Sequence, residues 1–261
     1  MSTSKKKNTV GFGEKMALGV GWFPGVLGWQ LLKALSVAVY QMVLKVNPVL
    51  LGAAMVVPSI WDAFTDPMMG NISDNFHSRW GRRRPFIVLG ALLMGVSFGF
   101  VWMVPEGWSD LAKIGYLIVT SVIFCTCSTI YMVPLQSLML EMTPDYDERT
   151  RVAAFTSFFN KVSDFIYQWI FPLSQLAVFG SVLMGVRVVG WGVGIFIFMG
   201  LGVIPGLLVK ERYYKKAEKQ EKVRFSAAVA AVFSNRGFMV LIALTILMIL
   251  AGMFASSLDY Y

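Results

Sequence analysis

The chemistry in this sequence starts with two carboxylates. Asp62 and Asp66 sit in the largely apolar stretch Ser-Ile-Trp-Asp-Ala-Phe-Thr-Asp-Pro-Met-Met-Gly, residues 59–70. Their i, i+4 spacing places both on one face of a helix. An ionisable group at bilayer depth costs several kcal/mol and usually has a partner or a task. Two carboxylates this close stay charged in a dry site only if a cation joins them; otherwise one takes a proton. Both cases describe a coupling-ion site, with hard oxygen ligands for Na⁺ or an acceptor for H⁺. Pro67 follows and removes a backbone donor, which frees nearby carbonyls as further ligands. The competing reading is a structural one, in which either Asp pairs with Arg or Lys of a neighbouring helix.

Other charged residues fall inside apolar stretches. Lys161 and Asp164 are spaced i, i+3 and have opposite sign. They are read either as an intrahelical ion pair or as cavity-lining groups. Lys33 lies deep in the first apolar run, where it either snorkels to the membrane surface or faces a water-filled cavity. Cys125 and Cys127 fall on different faces of a helix, a poor arrangement for a metal. His77 is read as solvated. No HExxH, nucleophile elbow or phosphate loop is present, so an enzyme is not expected, nor any cofactor beyond the coupling ion.

These residues need apolar helices to hold them. Of 261 residues, 56% are hydrophobic and 15% charged, with a mean hydropathy of +0.64. A soluble domain carries about 25% charged residues. Six apolar runs are long enough to cross a bilayer, at roughly 16–44, 49–72, 85–104, 113–139, 152–179 and 186–209. A seventh begins near Gly237 and continues to Tyr261. The runs lack the alternation of barrel strands, so they are helices. With the amino terminus in the cytoplasm, eighteen of the 23 Lys and Arg residues fall on that side and three on the other. This asymmetry sets the expected topology. It also turns the net charge of +8 into a statement about loops and removes nucleic acid as a partner. The basic stretch 210–236 reads as a cytoplasmic linker. Gly21/Gly25, Gly95/Gly99 and Gly190/Gly194 have the spacing of close helix packing.

Three segments carry a family resemblance: the 59–70 stretch, residues 71–74 with Ser-Arg-Trp-Gly-Arg-Arg-Arg-Pro at 78–85, and Thr-Pro-Asp-Tyr-Asp-Glu-Arg-Thr at 143–150. Together they resemble the glycoside–pentoside–hexuronide:cation symporters of the major facilitator superfamily, the group of the melibiose carrier. The Gly-Arg-Arg-Arg-Pro stretch is also similar to sucrose transporters. The resemblance implies two six-helix bundles rocking about a central cavity. It implies that Asp62 and Asp66 bind Na⁺ or H⁺, assisted by Thr129. It further implies a cytoplasmic gate in which Asp74 pairs with Arg82, Arg83 and Arg84, with Glu148 and Arg149 in the same network. The melibiose carrier's second helix 4 carboxylate aligns with Met132 and its sugar-stacking aromatic with Gln136. The arginine expected in helix 5 gives way to Thr156 and Ser157, and Lys161 stands one turn further on. These departures point away from a melibiose-like galactoside and leave another sugar, glycoside, uronide or non-sugar solute open.

The expected protein is an all-α polytopic membrane protein of the cell membrane. Residues 1–209 would form a six-helix half, 210–236 a linker, and 237–261 the start of a second half that is otherwise missing. The expected function is cation-coupled symport of a sugar-type solute, with Lys33, Gln136, Lys161 and Asp164 as cavity residues. A piece of this length is not expected to transport alone. Alternatives are a carrier of lipid-like solutes on the same fold, or a non-transporting sensor or partner protein.

Overall fold

A computed structural model describes residues 9–211 and, from 235 to 248, all but 238, 242 and 246. The chain divides into two compact units, Met1–Ala217 and Glu218–Tyr261. Most of the expected linker and most of the expected seventh helix lie outside the described residues. So do Lys5, Lys6 and Lys7.

Among the described residues of the first unit, six long helices follow one another, with a short 3₁₀ turn at Ala177–Phe179. Helix α1 spans Phe12–Val43 and ends in a π-helical segment, Val37–Val43. Then come α2 (Pro48–Asn75), α3 (Arg84–Val101), α4 (Asp110–Glu141), α5 (Tyr146–Ser174) and α6 (Val182–Leu208), which has a π segment at Val193–Leu201. They match the six apolar runs to within a few residues at most ends. The exception is α5, which starts six residues before its run and stops five short of its end. Five of the six are long and apolar enough to cross a membrane; α5 does not reach that hydropathy. Its run is interrupted by Asn160, Lys161, Ser163, Asp164 and Gln168.

Local sequence explains where these helices start. Asn47 accepts from the Val49 amide at 2.9 Å and Pro48 occupies the first turn of α2. Asp145 caps α5 through the amides of Asp147 and Glu148, and Ser109 and Ser181 cap α4 and α6. Each side chain satisfies amides that the first turn leaves without a partner. Helix α2 runs unbroken through Pro58 and Pro67.

Between helices, contact depends on small residues, since lipid gives apolar helices little reason to leave it. A Cβ on Gly95 would lie 2.5 Å from the Gly194 carbonyl oxygen, and one on Gly90 would lie 2.6 Å from the Tyr131 amide nitrogen. Here α3 meets the backbones of α6 and α4 directly. An aromatic cluster fills the adjoining space. Phe98 packs edge-on against Trp102 at 5.5 Å and Phe198 at 4.9 Å, with Phe124 tilted at 5.4 Å. All four are fully buried. This packing holds α4 in place against α3 and α6, and α4 in turn receives α2.

Candidate cation site and its charged surroundings

Helices α2 and α4 are joined by side-chain hydrogen bonds about one turn apart. The Trp61 indole N–H donates to Thr126 Oγ1 at 2.9 Å. One turn along α4, Thr129 Oγ1 lies 2.9 Å from Asp62 Oδ1 and 3.0 Å from Asp66 Oδ1. Thr129 is buried, and Asp62 half-buried. A hydroxyl has one proton, so Thr129 donates to one carboxylate at a time. The other oxygen faces it without a donor from that group. Thr65 Oγ1 stands 3.5 Å from Thr129 Oγ1 and bonds back to the carbonyls of Trp61 and Asp62. The donor set is therefore two carboxylates and neutral hydroxyl oxygens. No group of three or more His, Cys, Asp or Glu able to hold a metal occurs among the described residues. Hard oxygen ligands of this kind suit an alkali cation or a proton better than a soft transition metal. No Lys or Arg pairs with Asp62 or Asp66 among the described residues.

The α2–α3 connection concentrates opposite charges. Arg82 Nη2 pairs with Glu141 Oε1 at 2.8 Å, and Arg83 with Asp74 at 2.7 Å and Glu141 at 2.5 Å. Arg82 also donates to the Asp74 carbonyl. Three members of the expected gate, Asp74, Arg82 and Arg83, thus come together, joined by Glu141 from the end of α4. Arg84 turns elsewhere. Its guanidinium donates to the carbonyls of Gly206 and Leu207 at 2.7 and 2.6 Å, where the exposed carbonyls of a helix end attract cations. Glu148 and Arg149 do not join the cluster either. Glu148 is buried under the chain's start: Lys15 Nζ is 2.5 Å away, the Val10 amide donates at 3.1 Å, and Arg151 stands at 3.5 Å. Arg149 donates to the Thr143 carbonyl. The nearer cation simply claims Glu148. Glu148 lies in the first turn of α5, outside the apolar run. The hydrogen bond from Lys15, then the Val10 amide and the charges of Lys15 and Arg151, hold its carboxyl below the ordinary 4.5.

Glu211 was not singled out by sequence reading. Its carboxylate accepts from three consecutive amides, Arg82 at 2.9 Å, Arg83 at 2.8 Å and Arg84 at 3.1 Å. It serves as the N-terminal cap of α3, supplied from beyond the end of α6. Gly81 makes room for it. The residue has φ +111°, and a Cβ there would meet the carboxylate at 2.8 Å. Both the left-handed backbone and the close approach require glycine.

The remaining candidates form no single group. Lys161 and Asp164 are 3.0 Å apart, and Gln30 of α1 donates to Asp164 at 2.7 Å and accepts from Ser163. Lys161 is largely exposed. Gln136 is exposed near the far end of α4. Lys33 lines a recess of about 450 Å³ between α1 and α2.

A bundle of spanning-length helices, with a half-buried Asp62 and an exposed Asp66 where α2 meets α4, fits a multi-pass membrane protein of the major facilitator type. The chain belongs to the family of MFS/sugar transport proteins, which matches residues 19–261. It is 26% identical over 255 residues to a protein of Bacillus subtilis named an uncharacterized symporter, covering 95% of this chain and 54% of that one. It is 28% identical over 211 residues to a putative glycoside/cation symporter of Escherichia coli, covering 77% of this chain and 43% of that protein. It is 30% identical over 156 residues to the mouse sodium-dependent lysophosphatidylcholine symporter 1, covering 58% of this chain and 29% of that one. The chain thus spans about half or less of the length of these relatives.

Proposed function

We propose that this chain is part of a cation-coupled symporter of the cell membrane, with its amino terminus in the cytoplasm and a sugar- or glycoside-type solute. One observation carries the reading: two carboxylates of α2 converge on the single hydroxyl of Thr129 with no basic partner among the described residues. Na⁺ or H⁺ bound there neutralises the pair, and the neutralised carrier turns between its two faces by alternating access. The symporter relatives support the cation, and the putative glycoside/cation symporter supports the solute class. Asp74, Arg82, Arg83 and Glu141 act as the gate on the cytoplasmic side.

A second reading changes only the solute. The relative named for lysophosphatidylcholine favours a lipid-like cargo on the same cation site. Uptake by proteoliposomes of the full-length protein tests the proposal with a solute panel under imposed Na⁺ and pH gradients. Accumulation above equilibrium is expected for wild type and lost in Asp62→Asn and Asp66→Asn. Unimpaired gradient-driven uptake in both variants would sink the ion-site assignment. A non-transporting partner protein would accumulate nothing under either gradient.

A further inference from the structure

The described membrane helices contain four cations at or inside their apolar runs, and three of them are neutralised or bonded. Lys113 pairs with Asp110, Lys161 with Asp164, and Arg187 donates to the carbonyls of Trp102 and Val104. Lys33 is the exception, with no ion pair and no hydrogen bond among the described residues. Its ammonium sits 5.6 Å from the ring centre of Trp29, one turn back on α1. Lys33 is exposed on this unit, and an unneutralised ammonium inside an apolar run is expensive unless water or a ligand reaches it.

Lys33 is open to a recess of about 450 Å³, which also takes in Gln41 and Ser59. The rest of its lining is uncharged: Val37, Pro48, Leu51, Gly52, Met55 and Val56. The recess therefore offers one positive charge, two neutral polar groups and apolar walls. Its size is that of a small-ligand pocket. Its position is also telling. Ser59 lines it from α2, and Asp62, one helical turn further along the same helix, belongs to the carboxylate pair.

We propose that this recess binds the anionic group of the solute, a carboxylate or a phosphate, with Lys33 as its counter-charge and Gln41 and Ser59 as hydrogen-bond partners. This rests on the symport reading and narrows it. A neutral sugar would leave Lys33 unpaired in the loaded carrier, whereas an anion removes the cost of its exposure. The cation bound at Asp62 and Asp66 and the anion bound at Lys33 then leave neither charge uncompensated when the carrier turns. Trp29 holds the ammonium by cation–π attraction before the solute arrives.

The test is binding to the purified full-length protein, read as protection against thermal unfolding. Three probes are titrated: p-nitrophenyl β-glucuronide, p-nitrophenyl β-glucoside, and lysophosphatidylcholine. Wild type is expected to be protected by the glucuronide or the phospholipid at concentrations at least about tenfold below those the glucoside needs, the scale of one charge-assisted contact. Whether the glucuronide or the phospholipid, a zwitterion with an anionic phosphate, acts separates a carboxylate from a phosphate solute. Lys33→Met removes the advantage and Lys33→Arg retains it. Lys33→Met also removes a membrane charge, so folding is expected to be unharmed. Equal protection by glucuronide and glucoside, protection unchanged in Lys33→Met, or no protection by any probe overturns the assignment. Asp62→Asn separates the two proposals: it abolishes the effect of Na⁺ or pH on protection while leaving the preference for anions in place.

Discussion

The two charged clusters around α2 are opposites. At its carboxyl end, Asp74 and Glu141 face Arg82 and Arg83, so acid and base balance within 4 Å. In its middle, Asp62 and Asp66 have like charge and share one donor hydroxyl. The first arrangement is complete in itself and holds two connections together. The second is incomplete until something positive enters. On the proposed function, one helix carries both a latch and a binding site. What distinguishes them is whether the protein supplies the counter-charge.

Substitutions at the two clusters should therefore fail in different ways. The largest effect is expected for Asp66→Asn, which should abolish cation-dependent protection of the purified protein while leaving its unfolding temperature without cation equal or higher. A fall in that temperature would make Asp66 a structural residue like Asp74 and erase the contrast. Thr129→Val comes next. Losing a hydrogen bond to a charged group costs about 1.5–3 kcal/mol, so cation affinity should fall by about tenfold or more in a titration. Arg83→Ala should leave cation affinity unchanged and destabilise the fold by about 1–2 kcal/mol. Asp74 and Glu141 each lose one partner but keep Arg82 within 4 Å, and Asp74's side chain is 52% exposed, so water screens it. Glu211→Ala should cost about 1 kcal/mol, the usual effect of losing a helix cap.

A pH series adds the finest comparison. Because the folded protein holds the Glu148 carboxyl below 4.5, its pairing stabilises the fold fully at pH values above 4.5. That contribution fades as the pH drops through the lower folded value. Glu148→Gln should thus lower the unfolding temperature at neutral pH, and the gap to wild type should close on acidification. A gap that stays constant with pH would rule out the ion pairs as its cause.

Spacing in the sequence reveals contacts along one helix and few across helices. The Asp62–Asp66 pair was legible because four residues make one helical turn. The six helices were legible because lipid imposes a minimum apolar length. Thr129 lies 63 residues from Asp66, and only family resemblance pointed to it. Glu141 and Glu211 are not legible from the sequence, since nothing local distinguishes a solvated glutamate from one that reaches a distant loop. Glu148 was placed with the wrong partners for the same reason: Lys15 lies 133 positions earlier in the chain. Gln30 escaped notice because an amide at membrane depth is inconspicuous until Asp164 is seen beside it.

The reach of Glu211 bears on where the six-helix unit can be cut. A fragment ending at Val209, where the apolar run of α6 stops, would leave the first turn of α3 uncapped and the Gly81 turn without the group it accommodates. Two residues more restore three amide contacts. The folding unit therefore reaches at least to Glu211, past the last apolar residue of α6, because a polar contact ties that residue back to α3.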